Sequence, residues 1–159
     1  MAISVGDSFP NVTLKIMGEN GPEEVSTDAL LSGKKVVLFA VPGAFTPGCS
    51  VTHLPGYVVN ADKIKAKGVD SIICVSVNDA FVMGAWGKAA NAEELVMLAD
   101  GNGELTAALG LELDASGYGM GKRSQRYAMV IENGKITHLA VEPAGGITIS
   151  AADAILNVL

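Results

Sequence analysis

The sequence predicts an α/β protein, and three stretches carry that reading. Residues 36–41 (Val-Val-Leu-Phe-Ala-Val) form an unbroken apolar run ending at Pro42-Gly43, the pattern of a buried strand that feeds a turn. Residues 69–77 are apolar on both faces, which suits the middle of a sheet, and a helical stretch lies between the two. Toward the C-terminus, Glu132-Asn133-Gly134 separates two further strand-like segments, and Asn-Gly is the strongest short hairpin signal.

The elements follow in order. Residues 12–16 and 24–26 can pair as an N-terminal hairpin around Gly18-Glu19-Asn20-Gly21-Pro22. Thr27-Asp28 is placed to cap a short helix ending at Ser32-Gly33. After the strand at 36–41, a helix runs to about Lys67, with Pro55-Gly56 expected to kink or interrupt it. A strand at 69–77, a helix at about 79–90, a short strand at 95–99 and a helix around 103–109 come next. Gly117-Tyr118-Gly119-Met120-Gly121 reads as a flexible loop, with Arg123 in the loop that precedes the next strand. Strands at 126–132 and 135–141 and a last helix at about 151–158 complete the chain.

Composition narrows the function classes. At 159 residues and 49% hydrophobic, the chain suits one domain spanning residues 1–159, and no linker, repeat or low-complexity tract divides it. A net charge of −6 argues against a general nucleic-acid binder. The basic run Lys63-Ile64-Lys65-Ala66-Lys67 alternates with apolar residues and reads as the solvated end of a helix. Residues 1–7 lack the basic and apolar regions of a signal peptide, and no apolar run is long enough to span a bilayer. Two cysteines make no disulfide framework, and reduced thiols fit a cytoplasmic protein. Asn11-Val12-Thr13 matches a glycosylation sequon, which without a secretory signal reads as coincidence.

The residues after the first apolar strand carry the chemistry. Thr46 is a good helix N-cap, and Pro47 suits the first helical position because its missing N–H would be unpaired there anyway. Cys49 then falls near the third helical position, where free amides and the positive end of the helix dipole favour a thiolate over a thiol. A lone cysteine is often inert packing. Here the Pro-Gly break, the capping Thr and Gly48 beside the sulfur keep the thiol approachable and favour a reactive one.

The same residues resemble a known family. Pro42-x-x-x-Thr46-x-x-Cys49 is similar to the active-site motif of the peroxiredoxins, and Val-Pro-Gly-Ala-Phe-Thr-Pro-Gly-Cys-Ser resembles their type II (peroxiredoxin-5) subfamily. The similarity extends to Val5-Gly6-Asp7, Val77-Asn78-Asp79, Trp86-Gly87, Ala99-Asp100-Gly101 and Arg123-Ser124-Gln125-Arg126-Tyr127. It implies a thioredoxin-like fold with a central mixed β-sheet flanked by helices. It also implies a thiol peroxidase acting on hydrogen peroxide and small organic hydroperoxides, with no metal, flavin or haem, and a homodimer.

Peroxide reduction needs a thiolate, hydrogen-bond donors aimed at both oxygens, and a fixed positive charge. Cys49 supplies the first, and the amides of Gly48 and Cys49 supply donors, with no side chain at Gly48 to block approach. The chain has two arginines, Arg123 and Arg126. The resemblance maps the active-site arginine to Arg126, directly before the aromatic Tyr127, and leaves Arg123 as a surface salt bridge. In the family the Thr46 hydroxyl also contacts the peroxide, and Pro42 walls the pocket and limits solvent access.

Cys74 lies in an apolar strand and reads first as a buried core thiol. Some type II members have a second cysteine near this position, so a resolving role stays open. The C-terminal resolving cysteine of other members has no counterpart in residues 144–159. Turnover would then need an external thiol such as glutathione, with glutaredoxin or thioredoxin as protein reductant. His53, one helical turn after Cys49, reads as a structural hydrogen-bonding group, with an imidazolium beside the thiolate as the sharper alternative.

Other chemistries fit poorly. Cys49 and His53 are half of a zinc site, but Cys74 and His138 lie in separate strands without ligand spacing, so no metal is expected. A phosphate loop before Gly121-Lys122 would need glycine at Ser116 and Ser or Thr at Arg123, and no Cys-x-x-Cys occurs. A peroxide sensor, or a glutathione-linked thiol transferase on the same fold, are the rival readings.

Overall fold

Five of the six apolar residues that open the reading, with Lys35 before them, form β3 (Lys35–Ala40), whose side chains alternate between two separate hydrophobic layers. Val37 and Phe39 enter one layer, and Val36, Leu38 and Ala40 the other. The computed structural model describes residues 2–143 and 145–159. Its strands are β1 (Thr13–Gly18), β2 (Gly21–Ser26), β3, β4 (Ser71–Ser76), β5 (Val96–Ala99), β6 (Glu112–Asp114), β7 (Lys122–Ser124), β8 (Tyr127–Glu132) and β9 (Lys135–Val141). Seven of them make the main sheet, in the order β2-β1-β5-β4-β3-β8-β9.

β3, β4 and β5 are parallel, as β-α-β crossovers require, and β8 and β9 add antiparallel strands on the other side of β3. The sheet is therefore mixed, with β4 at its centre. Helices α2 (Leu54–Ala66), α3 (Ala80–Ala89) and α5 (Ala152–Leu156) cover one face through Leu54, Tyr57, Ile64, Met83, Trp86 and Ile155. Helices α1 (Thr27–Leu31) and α4 (Glu104–Leu109) cover the other through Leu31, Leu105 and Leu109.

Several boundaries differ from the sequence reading for identifiable reasons. The N-terminal hairpin is tighter, because pairing continues through Met17↔Pro22 to Gly18↔Gly21 and leaves a two-residue turn. Pro22 is tolerated because β2 is the edge strand. Ser26, not Thr27 or Asp28, caps α1 by accepting from the Ala29 amide. The Thr27 hydroxyl instead donates to the Pro10 carbonyl and accepts from the Val12 amide. The loop at 117–121 is flanked by two short strands that the sequence reading lacked, β6 (Glu112–Asp114) and β7 (Lys122–Ser124), paired with each other outside the main sheet. Arg123 is thus in a strand rather than a loop.

Proline 55 does not interrupt its helix. Pro47 and Gly48 are already helical, and Cys49–His53 form a π-turn in which the Leu54 amide bonds back five residues to the Cys49 carbonyl. The chain then runs on as α2 with Pro55 in its first turn. A wider turn lets the helix continue past a residue that has no N–H to give.

Candidate active site

Cys49 opens the π-turn between β3 and α2 and is buried, at 1% exposure. Its approach loop is held from two sides. The Asn78 side-chain oxygen accepts from the Ala44 amide at 2.9 Å and from the Ser76 hydroxyl at 2.6 Å. Phe45 sits in the left-handed region at φ 63°, a conformation that costs a side-chain-bearing residue about 1–2 kcal/mol. That turn delivers Thr46 to the start of the helix, where its carbonyl accepts the Ser50 amide.

Thr46 occupies the capping position that the sequence predicts, but its hydroxyl does not cap. It donates to the Gly43 carbonyl at 2.7 Å and closes the approach turn instead. Both lone pairs of that oxygen remain for another donor. A Cβ at Gly43 would lie 3.0 Å from both Met120 Cε and Thr46 Cγ2, so a side chain there would press on the turn that Thr46 closes. Pro42 ends the β3 run and is half-buried.

Arg126 reaches the sulfur from β8's first residue side. Its Nη2 donates to Cys49 Sγ at 3.1 Å, and its Nη1 lies 2.8 Å from His53 Nδ1. A Cβ on Gly48 would fall 3.6 Å from the same Nη2 and 3.3 Å from Ile147 Cδ1, so Gly48 faces the guanidinium under an apolar lid atom. Arg123 makes no hydrogen bond to the sulfur among the described residues, and it is not the surface salt bridge expected from the sequence. Its Nε donates to the Met120 carbonyl, its Nη1 approaches the Gly43 turn, and it forms no ion pair among the described residues.

His53 bridges Arg126 to the C-terminal loop. Its Nε2 lies 3.0 Å from the Ser150 carbonyl. A guanidinium only donates and a carbonyl only accepts, so Nε2 carries the proton and Nδ1 is bare. Burial first, and then the Arg126 charge, lower its pKa from 6.5 to about 4. The imidazolium alternative is therefore wrong for neutral pH, and the structural hydrogen bond is right. Tyr57, stacked on Phe39 at 3.8 Å, donates its hydroxyl to the same Ser150 carbonyl.

Cys74 lies mid-strand in β4, fully buried and paired with Phe39 of β3. Burial pushes its thiol well up, the neighbouring Cys49 adds to that, and Arg126 opposes it. The Trp86 indole donates to the Ser50 hydroxyl at 2.9 Å, which ties α3 to the π-turn. Sequence reasoning missed Asn78 as the loop's anchor, Ile147 beside Gly48, and the Ser150 carbonyl beneath His53. Asn78 lay within the Val77-Asn78-Asp79 stretch of the resemblance but had no assigned role, and Ile147 and Ser150 carried no local signal.

The arrangement presents an approachable turn and a sulfur under a guanidinium donor, and among the described residues no carboxylate forms an ion pair with that guanidinium. Comparison with known proteins agrees. The Redoxin family model matches residues 4–156. Peroxiredoxin-2D of Arabidopsis thaliana is 49% identical over 159 residues, covering 99% of this chain and 98% of that protein. The crystal structure of reduced Prx3 from Vibrio vulnificus in complex with hydrogen peroxide is 57% identical, covers 98% of each chain and superposes with a TM-score of 0.95. Peroxiredoxin 5 from Alvinella pompejana is 40% identical, covers 98% of this chain and 96% of that one, and gives a TM-score of 0.86. With the thioredoxin-like fold, the family match and these relatives in agreement, the chain belongs to the Redoxin family as a type II, peroxiredoxin-5-like peroxiredoxin, a thiol-dependent peroxidase that works through cysteine chemistry without a prosthetic cofactor.

Proposed function

We propose that Cys49 is the nucleophile and that Arg126, Thr46 and the amides of Gly48 and Cys49 bind the peroxide. The observation that carries this is the 3.1 Å donation from Arg126 Nη2 to Cys49 Sγ. Pro42 walls the site. The Cys49 thiolate attacks one oxygen, the S–O bond forms as the O–O bond breaks, and the departing oxygen takes a proton and leaves as water or an alcohol. Sulfur is oxidised by two electrons to sulfenic acid. Arg126 is placed to follow the charge from sulfur to the departing oxygen, the electrostatic role that dominates such reactions. Hydrogen peroxide as substrate is supported by the kinship with the Vibrio protein crystallised with it.

Recycling uses an external thiol. Glutathione attacks the sulfenic sulfur, water leaves and a mixed disulfide forms. A second glutathione, or a glutaredoxin, then returns the Cys49 thiol and carries away the disulfide. Thioredoxin is the alternative reductant. The lack of any cysteine in residues 144–159 and the position of Cys74 inside β4 support the external route. We read the protein as a cytoplasmic homodimer, and the exposed Phe45, Val51 and Phe81 give apolar surface for a second copy.

Steady-state peroxide consumption with glutathione plus glutaredoxin tests the reading, with thioredoxin and its reductase in parallel. Many turnovers with the glutathione system are expected. A single stoichiometric oxidation with every reductant would point to a sensor, and activity on mixed disulfides alone to a transferase.

A further inference from the structure

Glu142 follows the last residue of β9 and is buried at 6% exposure, with no cation paired to it among the described residues. Both oxygens of its carboxylate accept from one short stretch of chain, Thr148 to Ser150. Oε2 accepts from the Thr148 amide at 2.8 Å, the Ser150 amide at 2.8 Å and the Ser150 hydroxyl at 2.7 Å, and Oε1 accepts from the Thr148 hydroxyl at 3.1 Å. Its own amide donates to the Arg126 carbonyl at 2.9 Å. Burial alone would raise this carboxyl, but the Ser150 and Thr148 hydrogen bonds outweigh it and hold it below the ordinary range. Nothing in peroxide reduction calls for a buried carboxylate at this point.

The contacts lead back to the sulfur. The loop that Glu142 grips ends at Ser150, whose carbonyl accepts from His53 Nε2 and from the Tyr57 hydroxyl. That carbonyl fixes the proton on Nε2 and leaves Nδ1 bare for Arg126. With the carbonyl displaced, His53 is free to carry its proton on Nδ1. It would then point a donor at a donor, and Arg126 would lose the partner that aims it at Cys49. We infer that Glu142 is a positioning residue for the peroxidase reaction, acting through the Ser150 carbonyl and the His53 tautomer to hold the Arg126 guanidinium on Cys49. The same grip seats Ile147 beside Gly48. The inference rests on the reading of Arg126 as the group that binds peroxide.

Two rate constants for the reduced protein test it: Cys49 with hydrogen peroxide, and Cys49 with a haloacetamide. Alkylation needs the sulfur and access to it, whereas peroxide reduction also needs the aimed guanidinium. Glu142→Ala and Glu142→Asp should each lower the peroxide-to-alkylation ratio on the order of tenfold, since small misplacements of such groups are costly. If the alanine variant does not fold, the aspartate variant, one methylene short of the four donors, carries the test alone. Glu142→Gln should restore the ratio to near the native value, because its oxygen can replace Oε2 and its amide can donate to the Thr148 hydroxyl. In an Arg126→Ala background, Glu142→Asp should change the ratio no further. Equal losses of both rates, or an undiminished effect without Arg126, would overturn the inference. If Arg126→Ala itself leaves the ratio unchanged, the reading of Arg126 fails instead.

Discussion

The two cysteines lie in the same hydrophobic layer, and neither is exposed, at 1% for Cys49 and 0% for Cys74. Burial therefore does not distinguish them; the polar groups that reach each sulfur do. Cys49 opens a π-turn, accepts from Arg126 and follows a glycine that leaves its backbone bare. Cys74 sits in the central strand, its backbone used by β3 and β5, and desolvation drives its thiol toward the neutral form. On the proposed assignment, the reactive sulfur is the one placed where the chain ends one element and starts another.

The largest effect that can break this contrast is removal of each sulfur in turn. Cys49→Ser should abolish peroxide reduction while the fold, followed by circular dichroism, is kept. Cys74→Ser should retain most glutathione-dependent turnover. A Cys74 variant as inactive as the Cys49 variant would contradict the division of roles.

Arg126→Ala should lower the rate constant for peroxide by about 10²–10³-fold, the scale for loss of one preorganised transition-state donor. Arg123→Ala should cost far less, because its guanidinium faces the Gly43 turn and the Met120 carbonyl rather than the sulfur. Stopped-flow oxidation of the two variants separates them, and equal losses would show that the wrong arginine has been placed at the reaction.

A smaller effect concerns His53 and shows in stability. Its folded pKa, about 4, lies below the ordinary 6.5, so the unfolded chain binds the proton first as pH falls. Its stabilising contribution is complete above pH 6.5 and drains away down to about pH 4, at up to roughly 1.4 kcal/mol per pH unit. Glu142, also held low, adds its own loss as pH falls through the carboxylate range. Urea midpoints measured from pH 7 to pH 4 should fall, and His53→Asn should flatten the upper part of that decline. An unchanged slope in the variant would show that His53 is not the group being protonated.

Much of this was legible in the sequence because it is local. The apolar run, Pro42-Gly43 and Thr46-Pro47 fix the β3–helix junction within fifteen residues, and Arg126 is marked by the strand it precedes. What the sequence hid was non-local or a matter of register. Arg126 meets His53 across 73 residues, and His53 meets Ser150 across 97. No spacing rule links such partners. The π-turn was hidden because a proline predicts a break equally well, and only packing decides that the helix widens and continues. The Thr46 hydroxyl was misread because a threonine before a helix can close the preceding turn as readily as cap the next one. Three-residue β6 and β7, mostly exposed and charged, carry no periodicity long enough to detect.

The most direct test of the account is the mass of the protein after one equivalent of hydrogen peroxide with no reductant present. The native chain and Cys74→Ser should both gain one oxygen, mapped to the peptide that holds Cys49, and added glutathione should convert it to a mixed disulfide there. Rapid, complete loss of two hydrogens from the native chain, or oxygen found on Cys74, would contradict the account.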